Sequence, residues 1–293
     1  LQCLASPARA GLFLFIWVAL ALPAGALAQG DAKRGAYLAK AGGCLGCHTE
    51  DKQGAVPFAG GRALKTPFGV FYGPNITPHS QAGIGRWSEA DFIRALREGL
   101  RPDGAHYFPA FPYPSFTKIV DGDLRDLYAY LRSLPPNAQP SHAHELRFPY
   151  GYRVLLWGWK WLFFKPGAYV PDPARDARWN RGAYLTDALG HCGECHTPRN
   201  VLGGPKKDRY LAGGKLPDGG SVPNLTPTRL KKLSDAELKD FLQTGQTADG
   251  DVVAEAMGEV IRNTTSQLNP ADLDALLAYL RSIPALPVEP KSK

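Results

Sequence analysis

Cys44-Leu45-Gly46-Cys47-His48 and Cys192-Gly193-Glu194-Cys195-His196 are two copies of one pattern, C-x-x-C-H. They stand in a chain that repeats itself. Arg34-Gly35-Ala36-Tyr37-Leu38 recurs as Arg181-Gly182-Ala183-Tyr184-Leu185. Pro74-Asn75-Ile76-Thr77-Pro78 recurs as Pro223-Asn224-Leu225-Thr226-Pro227, and Ala129-Tyr130-Leu131-Arg132-Ser133 as Ala278-Tyr279-Leu280-Arg281-Ser282. The offsets are 147, 149 and 149 residues. Anchors that keep step at one period mark a duplicated domain, and two copies of this length are too few and too long for a solenoid. Each copy is expected to form a core of its own. The copies read as 29–136 and 177–293, joined by a Pro-rich linker at 137–176.

Helical periodicity dominates both copies. Leu124, Leu127, Tyr128, Leu131 and Leu134 form an apolar stripe, and Leu273, Leu276, Leu277, Leu280 and Ile283 repeat it. Pro135 and Pro284 follow as stops. Each copy also opens with a helix that carries its Gly-Ala-Tyr-Leu segment. Middle helices are expected from Ser88 and Ser234. Ser234 and Glu237 are spaced as a capping box, and Gly99 and Gly245 serve as terminators. Strand signals are weak, and the Gly/Pro-rich segments 55–74 and 201–223 read as loops. The fold class is therefore all-α, with long irregular loops. Within the linker, Val154 to Phe164 is apolar and rich in Trp and Phe, and too short to cross a bilayer. Two readings stay open for it: a helix buried between the copies, or a docking surface for a partner subunit or a membrane face.

C-x-x-C-H is the attachment pattern for c-type haem. Two cysteines three apart lie on one side of a helical turn and reach the two vinyl groups of one porphyrin. The next residue, His, is then directed at the iron as proximal ligand. Cys44, Cys47 and His48 are thus expected at haem 1, and Cys192, Cys195 and His196 at haem 2. Two covalently bound c-type haems follow. A thioredoxin-like disulfide would sit beside a βαβ pattern, which the periodicity does not show, and structural zinc would need four clustered ligands. Arg9, the apolar run from Leu12 to Leu22, and Ala26-Leu27-Ala28 form the order of a secretory leader over 1–28, which also takes Cys3. Export implies an oxidising compartment, where thioether formation consumes the remaining thiols. The 293 residues are 44% hydrophobic and 21% charged, which excludes wholesale disorder. The net charge is +7 without a run of like charges, so no nucleic-acid arm is expected.

The chain resembles the dihaem cytochrome c subunits of bacterial periplasmic dehydrogenases. The carriers are the Arg-Gly-Ala-Tyr-Leu and Pro-Asn-Ile-Thr-Pro segments of the first copy, together with Gly83-Ile84-Gly85-Arg86-Trp87-Ser88, Phe108-Pro109-Ala110-Phe111-Pro112-Tyr113 and Gly190-His191 through Asn200. The resemblance covers most of the chain beyond the leader. It implies two tandem class I cytochrome c domains, in which the first and last helices cross. Gly35 and Gly182 would allow that close approach, with Tyr130 and Tyr279 nearby. It also implies a partner dehydrogenase that supplies electrons and a respiratory acceptor that takes them.

The chain has one methionine for two irons. Methionine as sixth ligand raises the potential of a c-type haem. Met257 lies on the loop before the last stripe, where the resemblance places that ligand for haem 2. In the first copy Phe111 aligns with Met257, and Ile119 occupies the other place where related sequences carry methionine. Haem 1 therefore departs from the pattern. His106 is a candidate sixth ligand, Lys118 a weaker one because amine ligation needs a depressed pKa, and a five-coordinate iron is the remaining option. His79, His142 and His144 fall on less suitable loops, and His191 is expected to pack beside haem 2. The expected function is a periplasmic dihaem electron-transfer protein. The alternative is a dihaem enzyme, peroxidase-like or thiosulfate-oxidising, that uses an open or exchangeable haem 1. No phosphate loop, Ser/His/Asp group or separate metal site points to other chemistry.

Overall fold

The computed structural model describes residues 30–215, 220–247, 249–253 and 255–287. The expected leader lies outside them. The first half runs α1 (Ala32–Ala41), α2 (Cys44–His48), β1 (Ala63–Thr66), β2 (Gly69–Tyr72), α3 (Glu89–Glu98), α4 (Tyr113–Phe116) and α5 (Asp121–Ser133). The linker holds β3 (Glu145–Leu146) and α6 (Leu155–Phe163). The second half runs α7 (Ala177–Tyr184), α8 (Gly193–His196), β4 (Gly214–Lys215), β5 (Ser221–Val222), α9 (Pro227–Leu230), α10 (Asp235–Thr244), α11 (Glu255–Asn263) and α12 (Pro270–Ser282).

In each half the first and last helices cross at a glycine. A Cβ on Gly35 would stand 1.9 Å from the Asp126 carbonyl oxygen and 2.8 Å from Tyr130 Cβ. One on Gly182 would stand 2.0 Å from the Ala275 carbonyl oxygen and 2.7 Å from Tyr279 Cβ. No other residue fits at that separation. The stripes on α5 and α12 point inward at these crossings, with Leu124, Leu127, Leu131, Leu273 and Leu280 buried. Each such leucine contributes about 1.5–3 kcal/mol by leaving water. The middle helices start and stop as their caps dictate. Ser88 with Asp91, and Ser234 with Glu237, form reciprocal capping boxes, and Gly99 and Gly245 close α3 and α10 in the left-handed region.

Two expectations are corrected. The halves do not keep separate cores: Leu38, Ala41, Ala183, Leu185, Leu189, Leu131 and Leu276 belong to one contiguous apolar cluster. The cause is a π-turn, Leu185–Leu189, that continues α7 with a Gly190 N–H bond to the Leu185 carbonyl. It turns Ala188 and Leu189 fully inward. Segments 55–74 and 201–223 are also not plain loops. β1 and β2 form an antiparallel hairpin, Ala63 opposite Tyr72 and Thr66 opposite Gly69, and β3 adds a third strand. The turn closes on Gly69 at φ +124, a conformation that suits glycine. Beyond it, Val70, Phe71 and Tyr72 are strand formers, and Phe71 is buried on Phe108 and Leu156. In the second half β4 and β5 pair over two residues, Gly214 opposite Val222 and Lys215 opposite Ser221.

The linker helix is neither wholly core nor wholly surface. On its inner face Leu156 packs on Phe71 and Phe108. Lys160 Nζ donates to the Glu98 and Gly99 carbonyls at 2.6 and 2.9 Å, completing the C-terminus of α3. Trp159 Nε1 reaches the Leu202 carbonyl of the second half at 3.1 Å. On the outer face Trp157 and Trp161 are 67% and 84% exposed. Among the described residues no helix is long and apolar enough to cross a membrane.

Candidate functional site

Each C-x-x-C-H stretch is a short helix released from the preceding one by a left-handed residue. Gly43 does this at φ +63 ahead of α2. His191 does it at φ +39 ahead of Cys192, where a side chain costs of order 1 kcal/mol. Its ring lies against Phe116 of the first half, with centroids 5.4 Å apart. Among the described residues Cys44, Cys47, Cys192 and Cys195 form no disulfide. Burial pushes the Cys44 and Cys192 thiols up to about 12 and Cys47 to about 11, where the Glu259 carboxylate adds to the effect.

The histidines are held alike. His48 Nδ1 donates to the Pro74 carbonyl at 2.8 Å, and His196 Nδ1 donates to the Pro223 carbonyl at 2.8 Å. Burial lowers the basicity of both rings against these bonds, so the imidazoles are neutral with Nε2 left as the donor atom. That is how a metal-binding histidine is oriented by its surroundings. The carbonyls are themselves clamped. Asn75 Oδ1 accepts from the Thr77 N–H and hydroxyl at 2.9 and 2.7 Å, while its amide donates to the Asn137 and Gln139 carbonyls at 2.9 and 2.8 Å. Asn224 Oδ1 accepts from the Thr226 N–H and hydroxyl at 2.7 and 2.6 Å, and its amide donates to the Leu286 carbonyl at 2.9 Å. The repeated Pro-Asn-x-Thr-Pro segment is thus an Asx turn whose product is one aimed carbonyl. In the sequence the same segment stands out only as a repeat. Among the described residues no three His, Cys, Asp or Glu side chains converge as metal ligands. Two thiols on one helical turn beside an Nε2 donor fit a porphyrin edge and its iron.

The residues that lead into the two motifs lie close together: a Cβ on Gly43 would stand 4.0 Å from His191 Nε2. Ser115 on α4 donates to Glu194 Oε1 on α8 at 2.9 Å. In return α11 lies on α2: a Cβ on Gly46 would stand 2.9 Å from Glu259 Oε1, and Arg62 bonds Glu259 at 2.7 Å. Cys195 is near enough to add to the upward shift of Cys47. Met257 lies half-buried on α11, in the segment ahead of α12. The corresponding segment of the first half is aromatic. Phe111 packs on Tyr107 and Phe116 at 5.1 and 5.7 Å between centroids, and Ile119 is 1% exposed. Lys118 is drawn to Asp187 of the second half at 3.4 Å. The His106 ring lies 4.7 Å from Trp157 on α6, and its Nδ1 is buried without a partner. His144 Nδ1 accepts from the Tyr72 N–H, and His79 Nδ1 from the Ala82 N–H.

The Cytochrome c family model matches residues 32–135 and again 180–284. The chain belongs to the cytochrome c family. This cytochrome is 46% identical over 258 residues to a nicotinate dehydrogenase subunit of Pseudomonas putida, an alignment covering 87% of the chain and 21% of that protein. It is 44% identical over 261 residues to a diheme cytochrome c-type protein of Cereibacter sphaeroides, covering 88% and 87%. It is 42% identical over 257 residues to the fructose dehydrogenase cytochrome subunit of Gluconobacter japonicus, covering 86% and 52%. The chain thus spans about a fifth of the first relative and half of the third. With two cytochrome c domains and a diheme relative matched over most of its length, this cytochrome carries two c-type haems.

Proposed function

We propose that this cytochrome is the dihaem electron-transfer subunit of a periplasmic dehydrogenase complex, taking electrons from a catalytic partner and giving them to a respiratory acceptor. The observation that carries the reading is the close approach of the residues that lead into the two motifs, Gly43 and His191, with the histidine of each motif held by an aimed proline carbonyl. Relatives named as cytochrome subunits of fructose, alcohol and gluconate dehydrogenases support it. In this reading Cys44 and Cys47 hold haem 1 with His48 on its iron, and Cys192 and Cys195 hold haem 2 with His196 and Met257. Each haem, when bound, supplies a one-electron ferric/ferrous couple. The protein fixes the imidazoles and closes the apolar cluster against water.

A docking face is also proposed. From Arg147 to Val170 the chain has no carboxylate, and the exposed cations Arg147 and Lys165 flank α6. Exposed Trp157, Trp161, Leu155 and Val154 share that stretch. This pairing of aromatic rings with cations matches an anionic lipid surface, so Val154 to Phe164 is the proposed peripheral membrane contact.

A second reading, an enzyme using an open haem 1, is favoured by one observation. Phe111 and Ile119 stand at the methionine places, Lys118 is turned to Asp187, and His106 packs on Trp157. Spectra of the purified holoprotein decide. Two low-spin haems inert to cyanide and peroxide support the electron carrier. A high-spin ferric haem that binds them quickly supports the enzyme. Co-purification of the native complex identifies the dehydrogenase.

A further inference from the structure

Each half reaches the other through one tyrosine of its repeated Arg-Gly-Ala-Tyr-Leu segment. Tyr37 on α1 donates to Asp272 Oδ2 on α12 at 2.6 Å. Tyr184 on α7 donates to Asp123 Oδ2 on α5 at 2.8 Å. Each hydroxyl also accepts from the residue that caps the helix it meets. Asn269 gives Tyr37 its backbone N–H at 3.2 Å and its Nδ2 at 3.0 Å, and Val120 gives Tyr184 its N–H at 3.3 Å. The arginine of the aspartate's own half completes each set. Arg181 holds Asp272 in a fork, Nε and Nη2 both at 2.7 Å, and Arg34 bonds Asp123. Asp123 and Asp272 are only 2% and 6% exposed.

The same three residue types therefore meet twice, with arginine and aspartate from one half and tyrosine from the other. Each aspartate sits in the first turn of its helix, where the dipole favours negative charge. A buried charge-assisted bond from a rigid ring tolerates little displacement. Burial, with Asp272 beside it, pushes the Tyr37 hydroxyl up to about 12, so it stays a donor. Position gives these contacts their function. Tyr37 lies on the helix that runs into α2, and Tyr184 on the one that runs into α8. Fixing the two tyrosines fixes the two C-x-x-C-H helices relative to each other.

We propose that Tyr37 and Tyr184 are positioning residues for electron exchange between the two haems, acting through Asp272 and Asp123 to hold α2 and α8 at a set separation. The inference rests on the electron-transfer reading above. The step moves one electron from a reduced haem in one half to an oxidised haem in the other. No bond or proton moves at either tyrosine.

The test uses the full chain with both haems bound, as wild type, Tyr37→Phe, Tyr184→Phe and the double variant. One haem is reduced by a flash, and the rate of equilibration with the other is followed. Both midpoint potentials are also measured. Loss of one charge-assisted bond weakens the closed arrangement about tenfold, and loss of both about a hundredfold. Exchange is expected to slow several-fold in each single variant and further in the double, with both spectra and potentials kept. Tyr72→Phe, whose hydroxyl bonds Glu145 on β3 at 3.0 Å and touches neither tyrosine nor aspartate of this interface, is expected to exchange at the wild-type rate. A double variant that exchanges at the wild-type rate overturns the proposal, even if it melts earlier. If the double variant does not fold, the two single variants decide by the same criterion. A wild type whose haems do not exchange electrons at all overturns the electron-transfer reading itself.

Discussion

The segments ahead of α5 and α12 hold equivalent places in a duplicated plan and carry different chemistry. The second half has α11 with Met257, a soft sulfur donor on a helix. The first half has Phe111, Tyr113, Phe116 and Ile119, a set of carbon surfaces, three of them buried. Both segments keep their second task, which is to lie on the other half's C-x-x-C-H helix. Ser115 and Phe116 do this in one direction and Glu259 in the other. Duplication kept the inter-half contact and changed the residues at the place where Met257 is proposed as a ligand. In the proposed ligation the two haems would differ in potential while their domains stay in contact.

That comparison can be broken at several points. Met257→Ala is expected to lower the potential of one haem by on the order of 100 mV and leave the other unchanged. Spectroelectrochemical titration checks this, and equal shifts in both haems would end the assignment. His106→Ala tests the other half: a change of haem 1 to high spin marks His106 as its donor, and an unchanged spectrum removes it. Asn75→Ala takes away four buried hydrogen bonds behind the Pro74 carbonyl and is expected to cost about 2 kcal/mol in denaturant unfolding. An effect under a few tenths would mean that the carbonyl is held by something else.

The interface gives a smaller, pH-dependent effect. Burial alone would push the Asp272 carboxyl up. Hydrogen bonds from Arg181 and Tyr37 outweigh it and hold the group below the usual carboxylate range. A carboxylate lowered on folding stabilises fully above its unfolded pKa of about 3.9, and that contribution fades as pH falls through the lower folded value. The stability gap between wild type and Asp272→Asn is therefore expected to be constant near neutrality and to shrink below about pH 4. A gap that persists in acid would contradict the ionised contact. Trp161→Ser should change stability least, within about 0.5 kcal/mol. It should still reduce flotation with vesicles rich in anionic lipid, and unchanged flotation would exclude α6 as the contact.

What the sequence disclosed follows from how local each signal is. The C-x-x-C-H motifs, the stripes of α5 and α12 and the caps at Ser234 and Gly245 each lie within a few residues, so periodicity and spacing expose them, whereas the crossing glycines Gly35 and Gly182 are implied by the family resemblance. The hairpin of β1 and β2 escaped because four-residue strands are outweighed by the Gly and Pro around them. The Pro74 and Pro223 carbonyls and the Tyr37–Asp272 and Tyr184–Asp123 contacts escaped for another reason. Each joins residues far apart in the chain, and the repeats marked those residues without naming their partners. The sixth ligand of haem 1 stayed open because the first-half segment that corresponds to α11 is aromatic, and its pattern is that of any packed core.

The reciprocal tyrosine contacts bear on how such a chain arose. A tyrosine from each half on an aspartate of the other is the arrangement that two identical subunits make across a two-fold axis, where one surface patch meets its own copy. A one-domain ancestor with both the tyrosine and the aspartate would already have dimerised in this way. Joining the copies through the linker that carries α6 made the encounter intramolecular, with an effective concentration set by the tether in place of the abundance of free chains. Once the partners could no longer exchange, each was free to drift in ligand and sequence while its counterpart kept the shared surface.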